Sequence, residues 1–96
     1  MRPSLSLKKH KAKIQEIIGA SVASNPRIFG SVLRGDDVDG SDLDILVDVA
    51  PKTTLIDMAR LQIDLENLTK VKVDVLTILD LPQSIRAEVL ASARAL

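Results

Sequence analysis

The sequence predicts an α/β fold (α+β), and three observations predict it. Segments with apolar residues at helical spacing alternate with short runs that are apolar at every second position. Turn-forming Gly, Pro, Asn and Ser separate the two kinds of segment. No stretch repeats another, and no linker interrupts the series. The predicted order is α-β-α-β-α-β-α over 96 residues, read as a single domain at 1–96.

Each element has its own local reason. Lys8 to Ala23 is predicted helical, because Leu7, Ile14, Ile17, Ile18 and Val22 form one stripe and Lys8, Lys9, Lys11 and Lys13 lie mostly off it. Asn25-Pro26 is expected to end that helix. Arg27 to Phe29 then reads as a short strand, and Gly30-Ser31 as a turn into a helical turn at Val32 to Arg34. Leu43 to Val49 is a strand with Leu43, Ile45, Val47 and Val49 on one face and Asp42, Asp44, Leu46 and Asp48 on the other. Pro51 stops it. Thr54-x-x-Asp57 resembles a capping box for a helix running to about Leu68, with Met58, Leu61, Leu65 and Leu68 at helical spacing. Val71 to Ile78 is the third strand. Pro82 suits the first turn of a last helix, whose Ile85, Val89, Ala93 and Leu96 share one side.

Composition bounds the function. With 46% hydrophobic and 27% charged residues, four prolines and four glycines, the chain is globular rather than disordered. Its length is near the lower limit for an enzyme, so a catalytic cleft is expected to be shared with a partner, either a second copy or another protein. The absence of cysteine excludes disulfides and thiolate metal sites and suits a reducing cytoplasm. Met1 to Leu7 contains no long apolar segment, so no signal peptide or membrane span is expected and the protein reads as cytoplasmic.

Charge is balanced overall but unevenly placed. Residues 1–34 carry seven Lys/Arg against one acidic residue, whereas residues 35–50 carry six Asp and no base. Six carboxylates so close together repel one another unless cations or solvent screen them. The basic stretch Lys8 to Lys13 lacks interleaved aromatic residues, and Phe29 is the one aromatic residue in the chain, so base stacking is poorly provided for and direct nucleic-acid binding is disfavoured. A solvated helix face or an acidic protein partner is the favoured reading. His10 reads as a surface residue, and Phe29 and the Met58 to Leu68 stripe as core.

The acidic block sits inside the string Ile28 to Val47, where two familiar loops can be tested and excluded. Gly30 and Gly35 have Walker A spacing, yet Asp36-Asp37 follows where Lys and a hydroxyl residue are required. A calcium loop with Gly40 at its sixth position would start at Gly35 and end at Leu46, without the acidic first ligand or the final Glu. What remains is strand geometry. Side chains at i and i+2 point the same way about 6–7 Å apart, so Asp42 and Asp44 can grip the same metal pair. If Val71 to Ile78 lies beside that strand, Asp74 supplies a third carboxylate. Such a triad suits two divalent ions, and its all-oxygen chemistry favours magnesium. Ser41 reads as a cap on the turn before Asp42, and Asp36, Asp37 and Asp39 as solvated loop residues.

Gly30-Ser31, Arg34-Gly35, Ser41-Asp42-Leu43-Asp44 and, further on, Lys72-Val73-Asp74-Val75-Leu76 occur in order. In these residues the chain resembles the minimal nucleotidyltransferases, small bacterial members of the polymerase-beta-like superfamily often encoded beside a HEPN-domain toxin. The resemblance implies a small mixed β-sheet of about three strands flanked by about four helices. It implies that Asp42 and Asp44 bind both magnesium ions, while Asp74 binds the nucleophile-side ion and assists deprotonation. Gly30 would admit the triphosphate close to the backbone, and Ser31 would donate to it. Arg34 has two readings, a phosphate contact or a pair with a neighbouring Asp that holds the loop. The implied reaction transfers AMP from ATP to a tyrosine hydroxyl of a cognate HEPN ribonuclease toxin, making the protein an antitoxin. Alternatives are neutralisation by binding alone and transfer to a small-molecule hydroxyl. One departure stands out: Leu33 is bulky where many relatives carry a smaller residue before the Arg, which bears on how the Gly-Ser turn packs.

Overall fold

The computed structural model describes residues 1–96 and places four helices around one four-stranded sheet. In chain order the elements are α1 (Pro3–Gly19), β1 (Ala23–Phe29), α2 (Gly30–Arg34), β2 (Leu43–Val49), α3 (Leu55–Thr69), β3 (Val73–Leu76), α4 (Gln83–Ser92) and β4 (Arg94–Ala95). A 3-10 turn at Ile78–Asp80 joins β3 to α4. The sheet is mixed, with order β3-β2-β1-β4: β1 runs antiparallel to β2 and β4, and β2 runs parallel to β3. A parallel neighbour requires a crossover, and α3 provides it.

The alternation in Leu43 to Val49 does what it predicts. Leu43, Ile45 and Val47 are buried with Ile14, Ile18, Leu61, Leu65 and Val73, forming the main core between the sheet and the helices α1 and α3. On the opposite face a smaller cluster of Phe29, Leu46 and Leu81 supports Leu33 of α2 and Val89 of α4. Leu46 is thus fully buried between Asp44 and the exposed Asp48, so the acidic face of β2 is acidic only at its two ends. The α3 capping box forms as expected: the Asp57 N–H donates to Thr54 Oγ1 at 3.1 Å, and the Thr54 N–H to Asp57 Oδ2 at 3.0 Å.

Several local expectations need correction. The mixed sheet flanked by four helices is as expected, with a short fourth strand added, but the last helix stops at Ser92 instead of carrying its stripe to Leu96. Arg94 and Ala95 pair with Ile28 and Arg27, and the Leu96 N–H donates to the Pro26 carbonyl at 3.0 Å. A two-residue strand is too short to show alternation. Asn25-Pro26 does not end a helix, because α1 has already closed at Gly19 and the pair lies inside β1. There the register with β2 shifts between Ser24 and Arg27, Asn25 adopts φ +51°, and proline's missing N–H falls where the ladder is interrupted.

A further correction concerns Asp37. Helix α1 begins at Pro3 rather than Lys8, although Arg2 at its N-cap offers no side-chain acceptor. Asp37 offers one from 33 residues away: its Oδ2 accepts the Ser4 N–H at 2.8 Å, and Arg2 donates to Oδ1 at 3.3 Å. Its carboxylate is fully buried, whereas Asp36 and Asp39 are exposed as expected. Burial raises its pKa, but the bonds from Ser4 and Arg2 together outweigh burial and leave it below the ordinary value. Asp37→Ala removes the acceptor of an orphan helix N–H, and the expected cost is about 1–3 kcal/mol. In a thermal melt that appears as a fall of roughly 5 °C or more for a chain of this size.

Lys8, Lys9, Lys11 and Lys13 face solvent along α1. No helix is long and apolar enough to cross a membrane.

Candidate active site

The acidic centre is assembled by strand register. Asp42 immediately precedes β2, and Asp44 is its second residue, so both side chains leave the same face. β3 lies parallel with Asp74 directly opposite Asp44, and the Leu43 N–H donates to the Lys72 carbonyl at 2.8 Å, fixing that register. One carboxylate oxygen from each of Asp42, Asp44 and Asp74 therefore lies within 4.8 Å of the others. All three side chains are half-buried. The donor set is oxygen alone, three negative charges at a partly desolvated point, which fits a hard divalent cation such as magnesium.

Few protein cations offset that charge. Lys72 Nζ sits 3.7 Å from Asp42 Oδ2, on an exposed side chain. Lys72 was visible in sequence only as part of the strand motif; its i, i+2 relation to Asp74 is the signal that places it beside the carboxylates. Burial first, then the charges of Asp74 and Asp42, push the Asp44 carboxyl up to about 6, against the opposing pull of Arg34. Burial and Asp42 raise Asp74 as well, while Lys72 opposes the shift.

These shifts give the metal-free protein a defined pH dependence. A carboxylate with a raised folded-state pKa contributes stability that is complete below its unfolded value of 3.8 and is lost as pH rises through about 6. Asp37, Asp48 and Asp57 are shifted the other way, so their contributions are already complete above 3.8. Between about pH 5 and pH 7, chelator-treated protein is expected to lose stability as pH rises. Asp44→Asn should flatten that slope and raise the melting temperature at neutral pH by several degrees, and magnesium should do the same for the unaltered protein but not for the variant.

Gly30 opens α2 with φ +74°, and a Cβ built there would collide with Oδ2 of Asp44. The glycine is thus required by the protein's own carboxylate, whatever it admits from outside. Ser31 follows on the same wall of a cavity of about 600 Å³ that also borders Arg34, Asp42 and Asp44. Arg34 Nε lies 3.3 Å from Asp36 Oδ2, with both side chains exposed, so the loop-holding pair exists. Ser41 Oγ accepts the Val38 N–H at 2.9 Å and closes the turn that delivers Asp42. Leu33 packs against the Phe29–Leu46–Leu81 cluster and forms part of the cavity floor, which is how the bulky residue is accommodated.

The opposing wall is α4, through Ile85, Glu88, Val89 and Ser92. None of the four was singled out as a site residue in the sequence. Helical spacing puts Ile85 and Val89 on one side of the helix, and Ile85, 37% exposed, opens onto the cavity. Only the packing of α4 across the sheet brings these residues to the carboxylates, and no local spacing signals that.

Known proteins resemble the chain in sequence and fold. The profile of the family described as "Polymerase beta, Nucleotidyltransferase" matches residues 9–96. Two proteins of Methanocaldococcus jannaschii, each named "putative protein adenylyltransferase", are similar to the chain. One is 36% identical over 73 residues, covering 76% of this chain and 78% of its own length. The other is 34% identical over 71 residues, covering 74% and 69%. A solved structure of a "putative minimal nucleotidyltransferase" superposes with a TM-score of 0.84 at 35% identity over 97% of this chain and 95% of the other. A crystal structure of a toxin-antitoxin with AMP-PNP shares the fold, with a TM-score of 0.72 at 19% identity, covering 92% of this chain and 70% of the other. The fold, the extent of the match and the identity to these relatives lead to one conclusion: the chain belongs to the polymerase-beta nucleotidyltransferase family, as an enzyme of the minimal nucleotidyltransferase kind.

Proposed function

We propose that the protein is an antitoxin that transfers AMP from ATP to a tyrosine hydroxyl of a partner toxin, a ribonuclease of the HEPN class, and thereby silences it. The observation that carries the reading is the meeting of Asp42, Asp44 and Asp74 within 4.8 Å on the wall of a cavity shared with Gly30 and Ser31. The relatives named as protein adenylyltransferases support a protein acceptor, and the fold shared with a toxin-antitoxin bearing AMP-PNP supports the partner and the nucleotide.

Two magnesium ions, held by the three carboxylates, would supply positive charge to the α-phosphate and acidify the acceptor hydroxyl. The chain's own residues do the rest. Gly30 lets the triphosphate approach the backbone, Ser31 donates to a phosphate oxygen, and Arg34 exchanges Asp36 for phosphate. The tyrosine oxygen attacks the α-phosphorus in line; a new P–O bond forms as the bond to the β-phosphate oxygen breaks, and pyrophosphate leaves. Asp74, opposite Asp44 in register, assists removal of the hydroxyl proton.

Intact mass of a co-expressed partner tests this. The expected result is a partner heavier by one adenylyl group, the addition being lost with Asp42→Asn and Asp44→Asn. An unmodified partner that is still inhibited would mean neutralisation by binding, and an adenylylated small alcohol with the partner untouched would mean a different acceptor.

A further inference from the structure

The cavity of about 600 Å³ has the size of a nucleotide site, and its walls differ in chemistry. Phosphates belong with Gly30, Ser31 and Arg34 beside the carboxylates, which leaves the apolar surface of Phe29, Leu33, Ile85 and Val89 for the nucleoside. Two polar side chains stand on the α4 wall. Ser92 Oγ donates its proton to the Glu88 carbonyl at 2.9 Å. The exposed Glu88 carboxylate forms no ion pair or hydrogen bond within the protein. An ionised carboxylate only accepts, and beside a triphosphate it repels unless the ligand gives it a donor.

Resting on the ATP-dependent reading above, we propose that the α4 wall is the nucleoside subsite and that Glu88 sets its specificity by accepting a hydrogen bond from the nucleoside. The donor is either the exocyclic amine of the base or a ribose hydroxyl. Both are present in ATP, and each can be removed singly.

Calorimetric dissociation constants, measured with magnesium and without acceptor, test the proposal for ATP, ITP, 2′-deoxy-ATP, 3′-deoxy-ATP and inorganic tripolyphosphate. The native chain is expected to bind one analogue about tenfold more weakly than ATP: ITP if the amine is read, a deoxy form if a hydroxyl is read. Glu88→Ala should weaken ATP about tenfold, abolish that preference and leave tripolyphosphate unchanged. Unchanged or tighter ATP binding in the variant would overturn the proposal, since removing a merely repulsive charge tightens a triphosphate. Equal weakening of ATP and tripolyphosphate, or no preference in the native chain, would overturn it too. Binding is read without an acceptor, so failure to find a modified partner would refute AMP transfer to that partner and leave this test intact.

Discussion

Asp44→Asn is expected to reduce nucleotidyl transfer by at least about a thousandfold while leaving the metal-free fold more stable than before. Loss of a group that merely orients a metal ligand costs roughly 10–100-fold, and loss of a ligand itself costs more. Asp44 is also the residue the others surround: Asp74 stands opposite it in register, Asp42 precedes it by two residues, and Gly30 packs against its oxygen. Burial first, and then the charges of Asp74 and Asp42, raise its pKa to about 6, so the fold holds this carboxylate desolvated and against repulsion. Removing that charge relieves the repulsion and removes the chemistry together, and such opposed effects distinguish a functional carboxylate from a structural one. Steady-state rates beside thermal melts of the same preparations measure both. Asp74→Ala belongs to the same series, and full activity in that variant would show that the triad is wrongly drawn.

Gly30→Ala has the second largest expected effect. The substitution forces an L-residue into φ +74° and sets a methyl group against the Asp44 carboxylate, so that carboxylate must turn away. The backbone strain costs about 1–2 kcal/mol, and displacing a reacting geometry by about 1 Å costs on the order of 100-fold in rate. Gly35 separates the two contributions. It has a similar φ of +78° at the end of α2, but a Cβ there meets nothing within 4 Å. Gly35→Ala should therefore lose comparable stability and keep most of its activity. Equal activity losses in the two alanine variants would remove the Asp44 collision as an explanation.

Much of the site was legible because it depends on short-range rules. Seven alternating residues ending before Pro51 define β2, and the i, i+2 spacing of Asp42 and Asp44 fixes their common face. Asp74 could be assigned because a parallel neighbour in register brings it to that face, and the register of Asp44 with Asp74 is the one such a triad needs. The remainder depends on partners far away in the chain. Helix α1 starts at Pro3 because Asp37 accepts from Ser4, and no window around residue 3 contains that acceptor. β4 exists because Arg27 and Ile28 have a free edge to offer. The apolar side of α4 predicted from spacing borders an open cavity together with Glu88, and no local spacing signals that cavity.

In the proposed function, Asp42, Asp44 and Asp74 direct a divalent-metal-dependent attack at the α-phosphate of ATP. Transfer of label to the acceptor from ATP carrying it on either the α- or the γ-phosphate, with magnesium or with chelator, tests that role most directly. The α-label should appear on the acceptor with release of an equal amount of pyrophosphate, and it should vanish with chelator or in the Asp42→Asn, Asp44→Asn double variant. Transfer of the γ-label, or α-label transfer that survives loss of both carboxylates, would contradict it.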